Sequence, residues 1–234
     1  MGQIGIVSTR KSAYFEVTKL KDLLNIIAHF DKYPLQSAKS IDYLLWKQCI
    51  LLMVTKEHLT RSGFAKILSI KAVLNWGNSV LLNNTFPNIK PMQRPSYGTT
   101  EEPLNPDWVS GFSEGDSSFT VYINSAKNEV QANFRIGLNK REKPLLIKLQ
   151  SFFNGVGSIY ADNSTNSFHY KISKIKYLTN VIIPHFNTYK LVGNKKLNYL
   201  IWSQIVSLIN NKTHLTSEGL NLIKSLKDQL NKWD

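Results

Sequence analysis

The sequence predicts an α+β fold built from two pseudo-symmetric units, the second complete and the first incomplete. Three observations predict it. A long block of residues repeats along the chain, and a Pro-, Asn- and Thr-rich stretch separates the copies. Within the second copy, segments with period-two alternation lie between segments with helical spacing.

HFDKYPLQSAKSIDYLLWK, from His29, returns as HFNTYKLVGNKKLNYLIWS from His185, an offset of 156. The register holds through Lys39/Lys195, Tyr43/Tyr199, Trp46/Trp202, His58/His214, Thr60/Thr216 and Gly63/Gly219. Upstream the offset becomes 155: FEVTKLK (15–21) matches YKISKIK (170–176), and Gly2-Gln3-Ile4 matches Gly157-Ser158-Ile159. Residues 1–82 thus read as the C-terminal half of a first unit, 83–103 as a linker and 104–234 as a whole second unit. At an offset of 155, the counterpart of Asp116 would fall about 39 residues before Met1.

The elements of the second unit follow in order. Asn105-Pro106 is a helix start, with Asn as cap and Pro in the first turn, and the helix should run to about Gly115. SFTVYIN (118–124) points Phe119, Val121 and Ile123 one way, and Ser118, Thr120, Tyr122 and Asn124 the other. In 131–139, Ala132, Phe134, Ile136 and Leu138 face inward against Gln131, Asn133 and Arg135; a Lys/Asn turn joins the two strands. KPLLIKLQSFF (143–153) has helical spacing and stops at Asn154-Gly155. Strands near 158–161 and 168–173 and helices over about 174–184, 195–210 and 216–231 complete the unit. The order predicts an antiparallel sheet with a polar, aromatic and basic outer face.

Composition narrows the partners. Of 234 residues, 29 are Lys or Arg and 16 Asp or Glu, a formal net charge of +13 that points to a polyanion. A membrane partner is not expected, because no apolar run reaches the roughly 18 residues a spanning helix needs. The single cysteine, Cys49, excludes a disulfide framework and a cysteine-ligated zinc site. MGQIGIVSTRKSAYFEV has neither signal-peptide nor transit-peptide character.

WVSGFSEGDSSF (108–119) carries the chemistry. Gly111 and Gly115 share a helical stripe with Trp108, so another helix backbone could approach closely there. Asp116 stands where helix gives way to strand. Close packing on a twin helix would bring two such carboxylates together, a pair that repels unless a divalent metal and a phosphate lie between them.

VSGFSEGDSSF and the HF-x-x-Y-x-L…K…Y-L-x-W blocks resemble the LAGLIDADG homing endonucleases, encoded mostly in introns of fungal and algal organelles. The resemblance spans essentially the whole chain. It implies two αββαββα units packed through their signature helices, each laying a saddle-shaped antiparallel sheet along the major groove of a long, asymmetric double-stranded DNA target. It implies Mg²⁺ as cofactor, with Asp116 as metal-binding acid and Glu114 as an acid not generally used as a ligand. Lys195 and its counterpart Lys39 match the basic residue near the active site. Thr120, Tyr122, Asn124, Gln131, Asn133, Arg135, Tyr160, His169 and Lys171 match base- or backbone-reading positions; Gln3, Gly5, Tyr14 and Glu16 are the first copy's equivalents. Ser117 stands where the family usually has glycine, a change expected to strain or re-aim the helix end.

The incomplete first unit calls for an upstream-encoded segment or self-association to supply a second acid. The resemblance also implies a mitochondrial, organelle-encoded protein, chloroplast being the lesser expectation. Alternatives are an RNA-binding maturase acting on its own intron RNA, which would use the same basic surface in mRNA processing, and an inactive relic. His29 and His185 read as packing or capping residues, and the repeated His-Leu-Thr as helix N-caps.

Overall fold

The computed structural model describes residues 2–10, 12–77, 80–98, 102–124 and 129–231. The expected turn at 125–128 lies outside the described residues. The chain divides into two compact units, Met1–Gly98 and Thr99–Asp234. Among the described residues, no helix is long and apolar enough to cross a membrane.

Unit one opens with a two-stranded antiparallel hairpin, β1 (Gln3–Val7) and β2 (Ser12–Glu16), which pairs Gln3 with Glu16 and Gly5 with Tyr14. Helices α1 (Leu20–Lys32), α2 (Lys39–Val54), α3 (Arg61–Lys71) and α4 (Val80–Thr85) follow. Ile41, Leu45 and Ile70 form a small core, with Cys49 and Met92 against it. The segment expected to be a plain connector (83–103) begins inside α4 and is then tied to unit one. Ser69 Oγ donates to the Lys90 carbonyl, Met92 N to Ser69 O and Tyr97 Oη to Gln36 O. Arg94 reaches the Asp42 carboxylate at 2.8 Å and the Val73 carbonyl at 2.6 Å. Burial opposes ionisation of Asp42, but hydrogen bonds from Arg94 and the Asn75 amide outweigh it and lower its pKa.

Unit two runs α5 (Pro106–Asp116), β3 (Ser117–Asn124), β4 (Glu129–Asn139), α6 (Lys143–Phe152), β5 (Ser158–Asp162) and β6 (Ser167–Ile172). The rest is helical: α7 (Ile175–Tyr177), a π-helical stretch (Leu178–Ile182), α8 (Ile183–Thr188), α9 (Lys195–Asn210) and α10 (Ser217–Lys227). The third expected helix therefore extends past Pro184 and contains the π segment, because Pro184, near the start of α8, is compatible with a helical first turn. The antiparallel sheet has strand order β3-β4-β6-β5. Its inner face puts Phe119, Val121, Phe134, Ile136, Tyr170 and Ile172 into one core with Leu145, Leu149, Phe186 and Trp202. Fully burying a large apolar side chain is worth about 1.5–3 kcal/mol, so this face sets the register.

The two units share local devices at the offset of 156. Tyr43 Oη donates to Asp31 and to the Ile27 carbonyl; Tyr199 Oη donates to Asn187 and to the Ile183 carbonyl. Lys56 and Lys212 are both left-handed, at φ 61° and 59°. Thr60 and Thr216 then cap α3 and α10 by accepting the Gly63 and Gly219 amides at 3.0 Å. A Cβ at either glycine would strike the carbonyl of Glu57 or Thr213. The expected His-Leu-Thr caps are thus threonine caps, and His58 Nδ1 instead meets the Leu52 carbonyl at 3.4 Å.

Candidate functional site

Asn105 caps α5 through its side chain, accepting the amides of Asp107 and Trp108 at 2.8 and 3.1 Å. Ser110, one helical turn in, donates to the Tyr189 carbonyl at 2.6 Å and lies 3.2 Å from His185 Nε2. His185 is packed edge-on against Phe152, Phe153 and Phe186. Burial pushes its pKa down to about 4, against the opposing pull of Asp107. A neutral, packed imidazole therefore fixes the side of α5 that carries Val109 and Ser113 into the core.

The other side of α5 is open. Gly111 and Gly115 are exposed, and a Cβ at either would meet nothing within 4 Å. Trp108 and Phe112 stack beside this stripe with ring centroids 4.8 Å apart.

At the C-terminal end of α5 the two acids diverge. Glu114 turns to the segment before α9, its carboxylate accepting the amides of Val192 and Lys195, each at 3.2 Å. Asp116 is exposed, its carboxylate makes no hydrogen bond among the described residues, and it leads directly into β3 with no intervening loop. Lys195 Nζ donates to the carbonyls of Ser113, Gly115 and Ser117, joining the end of α5 to the start of β3. Burial lowers its pKa, with Glu114 and Asp116 pulling the other way. Lys195 is therefore a helix cap beside Asp116. Lys39, in unit one, begins α2 and lies in the field of Asp42.

The expected strain at Ser117 is absent. Its backbone is extended (φ −94°, ψ 164°), which any residue adopts, and its hydroxyl donates to the Ser113 carbonyl at 2.6 Å.

All nine expected reading positions fall on one face of the sheet. Thr120 pairs with Asn133, Tyr122 with Gln131, Arg135 with Lys171, and Tyr160 with His169. Thr120, Tyr122 and Tyr160 are exposed, while Asn124, Gln131, Arg135 and Lys171 are half-buried. Two positions differ from the expectation of an open face: Asn133 is 7% and His169 6% exposed. His169 sinks because its cross-strand partner is Gly137, where a Cβ would come 2.5 Å from the ring. Arg135 Nε then donates to His169 Nδ1 at 3.1 Å, and Asp162 Oδ2 lies 3.3 Å from Nε2. Asp162, which sequence reasoning missed, is lowered to about 2, first by the Ser164 hydroxyl. Its Asp-x-Ser turn, accepting the Ser164 amide at 3.0 Å, was the available signal. In unit one, Gln3, Gly5, Tyr14 and Glu16 share one face of the hairpin, with Gln3 donating to Glu16 at 3.4 Å.

Arg135 and Lys171 are cross-strand neighbours, and like charges placed so destabilise a sheet by themselves. An anion over the face removes that repulsion. Among the described residues, no three His, Cys, Asp or Glu side chains group to hold a metal. The free Asp116 carboxylate fits an ion such as Mg²⁺, which takes one or two carboxylates and fills its remaining positions with water and phosphate oxygens.

The family model for LAGLIDADG endonucleases matches residues 1–50 and 109–206. A probable intron-encoded endonuclease 3 of Neurospora crassa is 34% identical over 230 residues, 97% of this chain but 43% of its own length. The solved structure of I-SmaMI bound to uncleaved DNA target with calcium ions superposes with a TM-score of 0.93 at 36% identity, covering the whole of this chain and 80% of that one. I-GzeII in complex with its DNA target gives 0.92 at 33% identity, over 99% of this chain and 80% of that one. The chain spans less than half the length of the Neurospora relative. With most of the helix that ends in Asp116, and the whole sheet it enters, inside the matched residues, the chain belongs to the LAGLIDADG endonuclease family.

Proposed function

We propose that this protein binds double-stranded DNA and hydrolyses its phosphodiester bonds, as a Mg²⁺-dependent, site-specific endonuclease of an intron-homing system. The observation that carries this reading is Asp116: an exposed carboxylate with no hydrogen bond among the described residues, at the negative end of a helix and two residues from the strand position that faces Arg135. An exposed carboxylate at that place is open to a metal cation, with the Lys195 ammonium beside it. Likeness to proteins solved on DNA targets supports the same reading.

Each residue then has a task. Arg135, Lys171 and the exposed hydroxyl and amide groups of β3 and β4 hold phosphates and base edges. Asp116 is the residue that would hold Mg²⁺, which when bound supplies charge stabilisation at the phosphate and an activated water. Lys195 keeps the last turn of α5 wound so that the Asp116 carboxylate stays at the sheet rim. Expression inside the mitochondrion fits a composition rich in Asn, Ile, Lys and Leu, as an AT-rich genome gives.

The test is a plasmid library carrying randomised inserts, incubated with the protein and Mg²⁺, with new ends captured and sequenced. Recurrent breaks at one motif, absent with chelator and with Asp116→Asn, are expected. Breaks that persist in Asp116→Asn overturn the catalytic assignment, and RNA binding without DNA binding would transfer the basic face to an RNA partner.

A further inference from the structure

We infer that His169 is a positioning residue that sets Arg135 as a reader of guanine, with Asp162 and Gly137 completing the device. The inference rests on the DNA-binding reading above. Four residues on three strands build it: Arg135 and Gly137 on β4, His169 on β6, Asp162 at the end of β5. Gly137 leaves the space into which the imidazole sinks. Asp162 and the Ser167 hydroxyl flank Nε2 at 3.3 and 3.1 Å and hold the imidazole in place. Nδ1 takes the Arg135 Nε–H at 3.1 Å, and Nη2 lies 3.1 Å from Nε2.

The consequence concerns the guanidinium. It offers five N–H donors in a planar fork. Its Nε edge is turned onto His169, and Nη1 makes no hydrogen bond among the described residues. The end-on pair, Nη1 and the outer Nη2 proton, is what remains to face a groove. Two parallel donors match the O6 and N7 acceptors of guanine in the major groove. Arginine on an open strand would sample many rotamers and lose that freedom on binding; here the imidazole holds the plane beforehand. Buried as it is, His169 itself has little surface with which to touch a base.

The experiment is selection of bound duplexes from a randomised double-stranded library by the full chain, followed by sequencing. The wild-type protein is expected to enrich a motif with a strong guanine column. Arg135→Ala should flatten that column by about tenfold, the discrimination of a good bidentate contact, and leave other columns in place. His169→Phe fills the space over Gly137 without an acceptor and should flatten the same column. His169→Gln, which restores an acceptor for Nε–H, should recover it. Thermal midpoints of both His169 variants within a few degrees of wild type establish that folding is kept. A guanine column that survives His169→Phe in the folded variant, or that Arg135→Ala leaves untouched, overturns the inference. A wild-type protein that enriches no motif overturns the DNA-binding reading itself, a result distinct from the first two.

Discussion

Glu114 and Lys195 hold each other's segments: the Glu114 carboxylate accepts the Lys195 backbone N–H at 3.2 Å, while the Lys195 ammonium donates at 3.1 Å to the carbonyl of Ser113, next to Glu114. The start of α9 and the end of α5 are thereby locked together beside Asp116. The earlier acid of SEGD is thus a structural clamp and the later one is left free. This gives a physical reason for the two carboxylates to differ although they lie two residues apart.

Removing the lysine should loosen the end of α5. Lys195→Met takes the ammonium away from the carbonyls of Ser113, Gly115 and Ser117, leaving the first of them with the donors of Ser117. Unit two is expected to lose about 1–2 kcal/mol in urea unfolding. Asp116→Asn should stay within about 0.5 kcal/mol of wild type, since relief at the helix end is offset by lost attraction to Lys195. A large loss in Asp116→Asn with none in Lys195→Met would reverse these roles.

Unit one ties a distant arginine to its core. Arg94 and Asp42 meet at 2.8 Å with little exposure on either side chain. Arg94→Met leaves a buried carboxylate with the Asn75 amide as its remaining hydrogen bond and the more distant charge of Lys39, and should destabilise unit one by about 3 kcal/mol. In the second copy, Asn198 Oδ1 accepts the Asn231 amide at 2.9 Å where Asp42 accepts that of Asn75. Adding Asp42→Asn to Arg94→Met should therefore recover most of the loss. Protease susceptibility of unit one measures both steps.

The pH dependence of unit two should carry the mark of His185. Its folded pKa of about 4 lies below the usual 6.5, so between these values the unfolded chain binds the extra proton. The contribution is present in full above about pH 6.5 and is lost as pH falls towards 4. Urea midpoints at pH 7 and pH 5 should differ for the wild type, and His185→Phe should narrow the gap. An unchanged gap would mean that another group governs acid sensitivity.

Much of this architecture was legible in the sequence because its signals are local or periodic. The alternation in β3 and β4, the Asn105-Pro106 start and the Tyr, Trp and Thr-x-x-Gly positions of the repeat all depend on residues close along the chain. What escaped depends on register or on distance. Burial of His169 is set by Gly137 on a neighbouring strand, which no period-two count reveals. Docking of Arg94 on Asp42 joins residues 52 apart. The capping role of Lys195 depends on where one long side chain turns, and the left-handed pair Asn75 and Asn231 shows in sequence only as one more match.

The hairpin of unit one makes the last prediction. Ile4, Ile6 and Phe15 project from one face of β1 and β2 at 79%, 78% and 62% exposure. The counterpart of Phe15 in the repeat fares differently: Tyr170 is fully buried and stacks on Phe153, and β6 is paired on both edges whereas β2, among the described residues, is paired with β1 alone. An apolar strand face beside an unpaired edge is a template for association. This chain should therefore scatter light increasingly with concentration. Replacing Ile4 and Ile6 by Thr keeps strand propensity and removes the patch, and should suppress scattering while leaving the unfolding midpoint of unit two unchanged. Scattering unaffected by the double substitution would locate the sticky surface elsewhere, with the open Gly111/Gly115 face of α5 the next to test.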